Sequence, residues 1–176
     1  LTEPERRQLL VNWNATSTDL PESDLVDQFQ ECVRRVPDHA AVVSESATLS
    51  YAQLNSRANQ LARHLLAQGV ERNALVGLCV DRSPDMLVGL MGIIKAGAAY
   101  GPLDPEFPHD RLAYMLQDSG ARFLITQDPL ATHLPASTVT RIGLDSDWET
   151  IARQSCEDLD TPRNQDDLCY VIYTSG

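Results

Sequence analysis

Ala74-Leu75-Val76-Gly77-Leu78-Cys79-Val80 is an unbroken run without a charge or a hydroxyl. A strand wetted on one face alternates apolar with polar residues, whereas one covered on both faces does not. A run this continuous therefore predicts a buried strand of a parallel sheet. The residues on either side supply the covering helices. Upstream, Ser50 and Gln53 form a capping box for a helix whose stripe is Leu54, Ala58, Leu61, Ala62, Leu65 and Leu66, and Gly69 closes it. Downstream, Ser83-Pro84-Asp85 has the form of a helix start. Met86 to Lys95 follows, apolar almost all round, and Gly97 ends it.

The alternation continues. Ala98-Ala99-Tyr100 reads as a strand, and Gly101-Pro102-Leu103-Asp104-Pro105 as a tight loop, because two prolines oppose regular structure. Asp110 to Gln117 is a helix stopped by Gly120, and Arg122 to Thr126 a strand. The signal fades after Gln127, with a short strand at Val139 to Ile142 and a short helix at Trp148 to Arg153. Toward the N-terminus, Ala40 to Val43 and Thr48 to Ser50 suit a hairpin turning at Glu45-Ser46. Before it, Asp24 to Arg35 is a helix carrying Leu25, Phe29, Cys32 and Val33, and Pro37 ends it. Residues 3–13 look helical, with Leu9, Leu10 and Trp13 as apolar anchors. Residues 1–20 read as a linker along the surface of a domain made by residues 21–176. Strands alternating with helices define an α/β class: layered, with a mostly parallel sheet and flanking helices.

Composition narrows the function. The formal net charge of -11 argues against a nucleic-acid binder. Residues 145–167 hold eight acids and two arginines, and read as a solvated connector. No apolar run reaches membrane-spanning length. Cys32, Cys79, Cys156 and Cys169 are widely spaced, which suits buried free thiols in a reducing, cytoplasmic setting. The four histidines are scattered and suggest no metal cluster.

The last stretch is Leu168-Cys169-Tyr170-Val171-Ile172-Tyr173-Thr174-Ser175-Gly176. Its apolar part reads as a buried strand, which switches abruptly to small hydroxyl residues and glycine. Two readings fit that switch: an ordinary strand-to-turn junction, or the entrance to a loop whose backbone N–H groups face a phosphate.

Three separated stretches resemble the adenylation domains of non-ribosomal peptide synthetases, members of the adenylate-forming superfamily. Leu49-Ser50-Tyr51-Ala52-Gln53-Leu54 resembles that family's Leu-Thr-Tyr-x-Glu-Leu motif. Lys95-Ala96-Gly97-Ala98-Ala99-Tyr100-Gly101-Pro102-Leu103-Asp104 resembles Lys-Ala-Gly-x-Ala-Tyr-Val-Pro-Ile-Asp. Tyr170 to Gly176 resembles the opening of its phosphate-loop motif, which continues Ser-Thr-Gly-x-Pro-Lys-Gly. Gln53 and Gly101 depart from the customary glutamate and valine.

The resemblance implies the first part of the large N-terminal subdomain of an adenylate-forming enzyme, ending at the start of the phosphate-binding loop. It implies ATP with Mg²⁺, an amino acid substrate and release of pyrophosphate. The acyl group would pass to a phosphopantetheine thiol on a following carrier domain, and a condensation domain would precede. Thr174, Ser175 and Gly176 are the implied ATP-binding residues. No catalytic or metal-binding residue is assigned within the chain, since the family's others lie further on, and the 176 residues alone are expected to be inactive. A stand-alone acyl or aryl-CoA ligase and a non-catalytic docking module are the competing readings. Asp104 is expected to fix its loop, Tyr173 to pack the strand end, and Lys95 and Arg111 to be structural or surface groups. His64 and His109 lack the partners that general-base chemistry needs.

Overall fold

The computed structural model describes residues 1–19, 23–45, 47–135, 138–164 and 166–174. Helix α1 (Glu3–Leu10) and a 3-10 turn (Asn12–Asn14) come first, then α2 (Leu25–Arg35), β1 (Ala40–Val43) and β2 (Thr48–Ser50). Next are α3 (Tyr51–Ala67), β3 (Leu75–Leu78), α4 (Pro84–Lys95), β4 (Ala99–Pro102) and α5 (His109–Asp118). Then follow β5 (Phe123–Thr126), α6 (Asp128–Ala131), β6 (Thr140–Gly143) and α7 (Trp148–Ile151).

Strands β4, β3, β5 and β6 lie side by side in that order, all parallel, while β1 and β2 pair antiparallel as a separate hairpin. The expected layered, mostly parallel architecture is what forms. Both faces of the sheet are covered, as the run at residues 74–80 requires. One core joins Val76, Leu78, Phe123 and Ile125 to Leu61, Leu65, Val88 and Ile93 of α3 and α4. The other joins Leu124 and Cys79 to Leu112, Met115 and Leu116 of α5. Alternate residues of β5 therefore serve opposite cores, as strand geometry dictates.

Helices α3 and α4 approach closely because Gly92 has no side chain: a Cβ there would lie 2.6 Å from Leu61 Cδ2. The Ser50–Gln53 capping box forms as read, with the Gln53 N–H donating to Ser50 Oγ and the Ser50 N–H to Gln53 Oε1. Ser83 does not cap α4; its hydroxyl is buried without a partner among the described residues. Proline at the first turn suffices, its missing N–H being one that a helix start leaves free.

Several expectations are corrected. Gly101 and Pro102 are not loop but the end of β4, in register with Gly77 and Leu78. A proline at the last strand position forfeits only one donor. Helix α2 keeps Phe29, Cys32 and Val33 partly buried as expected, but buries Val26 in place of Leu25, which is 51% exposed. The N-terminal helix stops at Leu10, and Leu9, Leu10 and Trp13 are all exposed, so none is an apolar anchor among the described residues. Of the hairpin turn, Ser46 lies outside the described residues. Cys79 is the buried thiol; Cys32 and Cys169 are half-buried and Cys156 is exposed.

The acidic stretch is not a free solvated connector. It runs back across α3 and α4 as a strap held by backbone carbonyls that accept from Asn59, Gln60 and Arg63, and by three of its own charged side chains. Asp158 accepts from Asn55 and Asn59 and faces Lys95 Nζ at 3.6 Å. Arg163 donates to Asp24, which caps α2, and to Asp27 in its first turn. Asp167 accepts from Arg72 and Asn73. Thr161 passes 3.3 Å from where a Gly97 Cβ would stand, so the positive-φ glycine at the α4–β4 turn also leaves room for the strap.

Lys95 is the largest side chain in the interior, at 1% exposure, and lies 5.7 Å from the centre of the Phe29 ring. Burial holds its pKa below the ordinary lysine value, against the charge of Asp158. Removing the carboxylate leaves that ammonium unpaired, whereas removing the ammonium leaves a half-exposed carboxylate that water can solvate. Asp158→Ala is expected to cost about 2 kcal/mol, below the range for fully buried pairs because solvent screens Asp158. Lys95→Met is expected to fall within about 1 kcal/mol of the unsubstituted chain. Urea melts of the two variants measure the asymmetry; equal costs would contradict it.

Candidate functional site

Between β3 and its two neighbours the chain order reverses: β4 lies on one side and β5 on the other. In open parallel sheets, ligands bind beyond the strand C-termini at such a switch point. A cleft of about 580 Å³ opens beyond the ends of β3 and β4, on the β4 side of that switch point, lined by Val80, Arg82, Leu103, Glu106, Ile172 and Tyr173, among others.

Residues 168–174 reach this cleft by running beside β4. The Tyr100 N–H donates to the Cys169 carbonyl at 3.1 Å, and the Val171 N–H donates to the Tyr100 carbonyl at 3.0 Å. Tyr170 thus bridges Tyr100 in parallel, their ring centres 5.6 Å apart. The expected buried strand is corrected to an edge segment. It shares only this bridge with β4, and Leu168, Tyr170 and Ile172 are each more than half exposed. Apolar composition predicts burial only where a second neighbour exists to supply it, and no described strand lies outside this edge.

Tyr173 packs the end of the segment, as expected. Its hydroxyl donates to Asp118 Oδ2 at 2.7 Å, and its ring meets Tyr114 edge-on. Burial, followed by the bond to Asp118, pushes this phenol up to about 12, so it stays protonated. Thr174 follows directly and is exposed, with no partner for its hydroxyl among the described residues. Ser175 and Gly176, the other two implied phosphate-binding residues, lie outside the described residues.

Asp104 fixes its loop by accepting from the Glu106 N–H at 2.9 Å. Arg111 stacks over Phe107 at 4.0 Å. Lys95 is structural, but deep inside and not at the surface. His64 is buried on α3, and His109 faces Asp110 at 3.7 Å on the surface. The thiol of Cys79 is pushed up to about 11 by burial and by the charges of Asp104 and Asp81, which leaves it a poor nucleophile. Among the described residues no group of three or more His, Cys, Asp or Glu could hold a metal ion. None of their helices is long and apolar enough to cross a membrane.

Two sets of residues escaped sequence reading. Arg82, Asp81 and Glu106 join the cleft because the ends of β3 and β4 meet there. Arg72, Asn73 and Asp167 meet at the opposite end of the edge segment. A non-glycine residue ahead of a buried strand, in the turn Glu71-Arg72-Asn73, was the available signal: Asn73 has φ 59, a conformation asparagine tolerates.

The strap carboxylates respond to pH in a defined direction. The Arg72 side chain, foremost, holds Asp167 at about 2. For Asp158 burial opposes the charge, but the bonds from Asn55 and Asn59 outweigh it and its pKa is lowered. A carboxyl depressed in the fold adds stability that is complete above the unfolded pKa of about 4 and disappears as pH falls through the folded value. The melting temperature is therefore expected to fall between about pH 4 and about 2. Asp167→Asn should flatten part of that slope; an unchanged slope would contradict the assignment.

Residues 29–176 match the family model described as AMP-binding enzyme. The chain belongs to the AMP-binding enzyme family, and it matches the adenylation region of non-ribosomal peptide synthetases. It is similar to a linear gramicidin synthase of Brevibacillus parabrevis, at 50% identity over the whole chain but only 3% of that protein. Bacitracin synthase 1 of Bacillus licheniformis is 44% identical, again over the whole chain and 3% of its length. Among solved structures, the non-ribosomal peptide synthetase FmoA3 in its AMPPNP-bound form superposes with a TM-score of 0.87 at 32% identity. That match covers 96% of this chain and 18% of FmoA3. The N-terminal subdomain of Klebsiella oxytoca NpsA, at 23% identity and a TM-score of 0.74 over 86% of this chain and 38% of its own, shares the fold.

Proposed function

We propose that these residues form part of an ATP-dependent ligase that joins an amino acid carboxylate to AMP, releases pyrophosphate, and passes the acyl group to a phosphopantetheine thiol. One observation carries the reading: the segment after Tyr170 runs parallel to β4 and brings Ile172 and Tyr173 into the lining of the cleft beyond β3 and β4, with Thr174 next along the chain. Thr174, Ser175 and Gly176 are the residues we assign to the ATP phosphates. A threonine or serine hydroxyl can donate to a phosphate oxygen, and glycine lets backbone N–H groups come close.

The side chains of the cleft do not provide an excess of positive charge, since Arg82 stands among Asp81, Asp104 and Glu106. Phosphate binding there rests on hydroxyl and backbone donors. Mg²⁺, which binds through phosphates and one or two carboxylates more often than in an all-protein cage, supplies the missing charge when bound. FmoA3 has been crystallised with AMPPNP and with α-methyl-L-serine-AMP, which supports nucleotide and aminoacyl-adenylate binding by this fold. A condensation domain before and a carrier domain after, in a cytoplasmic protein, complete the proposal.

The test is exchange of labelled pyrophosphate into ATP by the intact protein with a panel of carboxylic acids. Exchange that requires an α-amino acid is expected. Exchange driven equally by acids without the amine would favour a stand-alone acyl or aryl ligase, and no exchange with any acid would favour a docking module. A polypeptide of these 176 residues alone is expected to show none.

A further inference from the structure

The edge segment is fastened at one end by a cluster that the chemistry above does not use. Arg72 grips Asp167 with two nitrogens, Nε at 2.9 Å and Nη2 at 2.6 Å. Asn73 donates from Nδ2 to Asp167 Oδ1 at 3.1 Å. Through Oδ1 it also accepts the Leu168 N–H at 3.0 Å. Asp167 in turn accepts the Asn164 N–H at 2.8 Å. The Asn73 backbone is itself fixed, its N–H donating to the Gly97 carbonyl at 2.8 Å. The turn that opens β3 is thereby tied both to the turn that opens β4 and to the residue before the edge segment.

The consequence is a matter of register. Segment 168–174 makes a single bridge to β4, so sheet pairing alone constrains it weakly. A strand slipped by one residue turns every side chain to the other face. The slip would turn Ile172 and Tyr173 out of their places in the cleft lining and displace Thr174, which follows them. The contacts of Asn73 and Arg72 fall at Asp167 and Leu168, immediately before the bridge formed by Cys169 and Val171 with Tyr100. A fork from arginine to carboxylate fixes direction as well as distance. With Asp167 held at about 2, the fork is intact throughout the neutral range.

We propose that Asp167, gripped by Arg72 and Asn73, is a positioning residue that sets the register of residues 168–174 against β4 and so aims Thr174 at the nucleotide phosphates. The inference rests on the adenylation reading above and adds residues to it.

The test uses the intact protein with Asp167→Ala, Asn73→Gly and the conservative Arg72→Lys. Asn73→Gly keeps the positive-φ turn while removing both side-chain contacts, and serves if Asp167→Ala does not fold. Two readouts are taken: KM for ATP and for the amino acid in pyrophosphate exchange, and amide hydrogen exchange by mass spectrometry. Asp167→Ala and Asn73→Gly are expected to raise KM for ATP about tenfold or more while KM for the amino acid stays within about twofold, since a misplacement near 1 Å can cost far more than this. Arg72→Lys should retain part of the effect. Amide exchange should quicken in peptides covering 168–173 and stay unchanged in α3 and α4. An unchanged KM for ATP in an active, folded Asn73→Gly variant overturns this inference and leaves the adenylation reading standing. Faster amide exchange across α3 and α4 as well, with both KM values rising together, also overturns it, by showing a general structural role. An unsubstituted protein without exchange activity overturns the adenylation reading, and this inference with it.

Discussion

Gly92→Val is expected to lose about 3 kcal/mol of stability or more, a large share of the about 5–15 kcal/mol of an ordinary domain. The site lies where α4 crosses α3. A single added Cβ would stand 2.6 Å from Leu61 Cδ2, 2.8 Å from Leu61 Cγ and 3.0 Å from Leu61 Cβ. Because two of these atoms lie near the root of the leucine, a rotamer change cannot clear them. Leu61 is fully buried, and the α3–α4 pair covers one whole face of the sheet, so the helices would have to part. Leu61→Ala in the same chain frees the volume and should restore part of the loss, although Leu61→Ala alone costs about 2–5 kcal/mol as a cavity. Urea denaturation of the two single variants and the double variant measures the coupling. Costs that simply add would mean that the helices do not meet at Gly92.

Thr174→Val in the intact protein is expected to raise KM for ATP about tenfold, with KM for the amino acid little changed. Valine keeps the shape and β-branching of threonine and deletes the hydroxyl, so the edge segment should keep its place beside β4. What disappears is one hydrogen bond to a charged phosphate, worth about 1.5–3 kcal/mol. Thr174→Ser keeps the donor and should stay near the unsubstituted value. Steady-state kinetics of pyrophosphate exchange distinguishes these outcomes. Equal KM values for the valine and serine variants would remove Thr174 from the phosphate contacts.

The parts of the fold readable from sequence were those with a local cause. The apolar run at residues 74–80 needs no partner to reveal that both its faces are covered. The Ser50–Gln53 box and the glycines after α3 and α4 act within a turn of where they stand. Sequence reading failed where the cause is remote. Asn55 and Asp158 are 103 residues apart, and each alone resembles a surface residue. A count of acids in residues 145–167 records charge but not pairing, so the strap read as solvated. Residues 168–173 failed for the opposite reason: their composition asks for burial, and the sheet as described gives them one neighbour. Helix α6 spans four residues, too short for helical periodicity to register.

The candidate site divides the same way. The assignment of Thr174 to the phosphates rests on motif resemblance, whereas the packing of Tyr173 followed from its place at the end of an apolar run. Arg72, Asn73 and Asp167 carry no local mark of their joint role, because only the parallel path of the chain beside β4 brings them together.

The central claim, that residues beyond Tyr170 enter the phosphate site of an adenylating ligase, is tested most directly by photolabelling. The intact protein would be irradiated with ATP bearing a photoreactive group on its γ-phosphate, and the labelled peptides mapped by mass spectrometry. Label is expected on residues 172–176 and on the adjoining loop 104–107, suppressed by excess ATP. Label confined to other surfaces, such as the cavity of about 390 Å³ between α2 and residues 163–169, would contradict it.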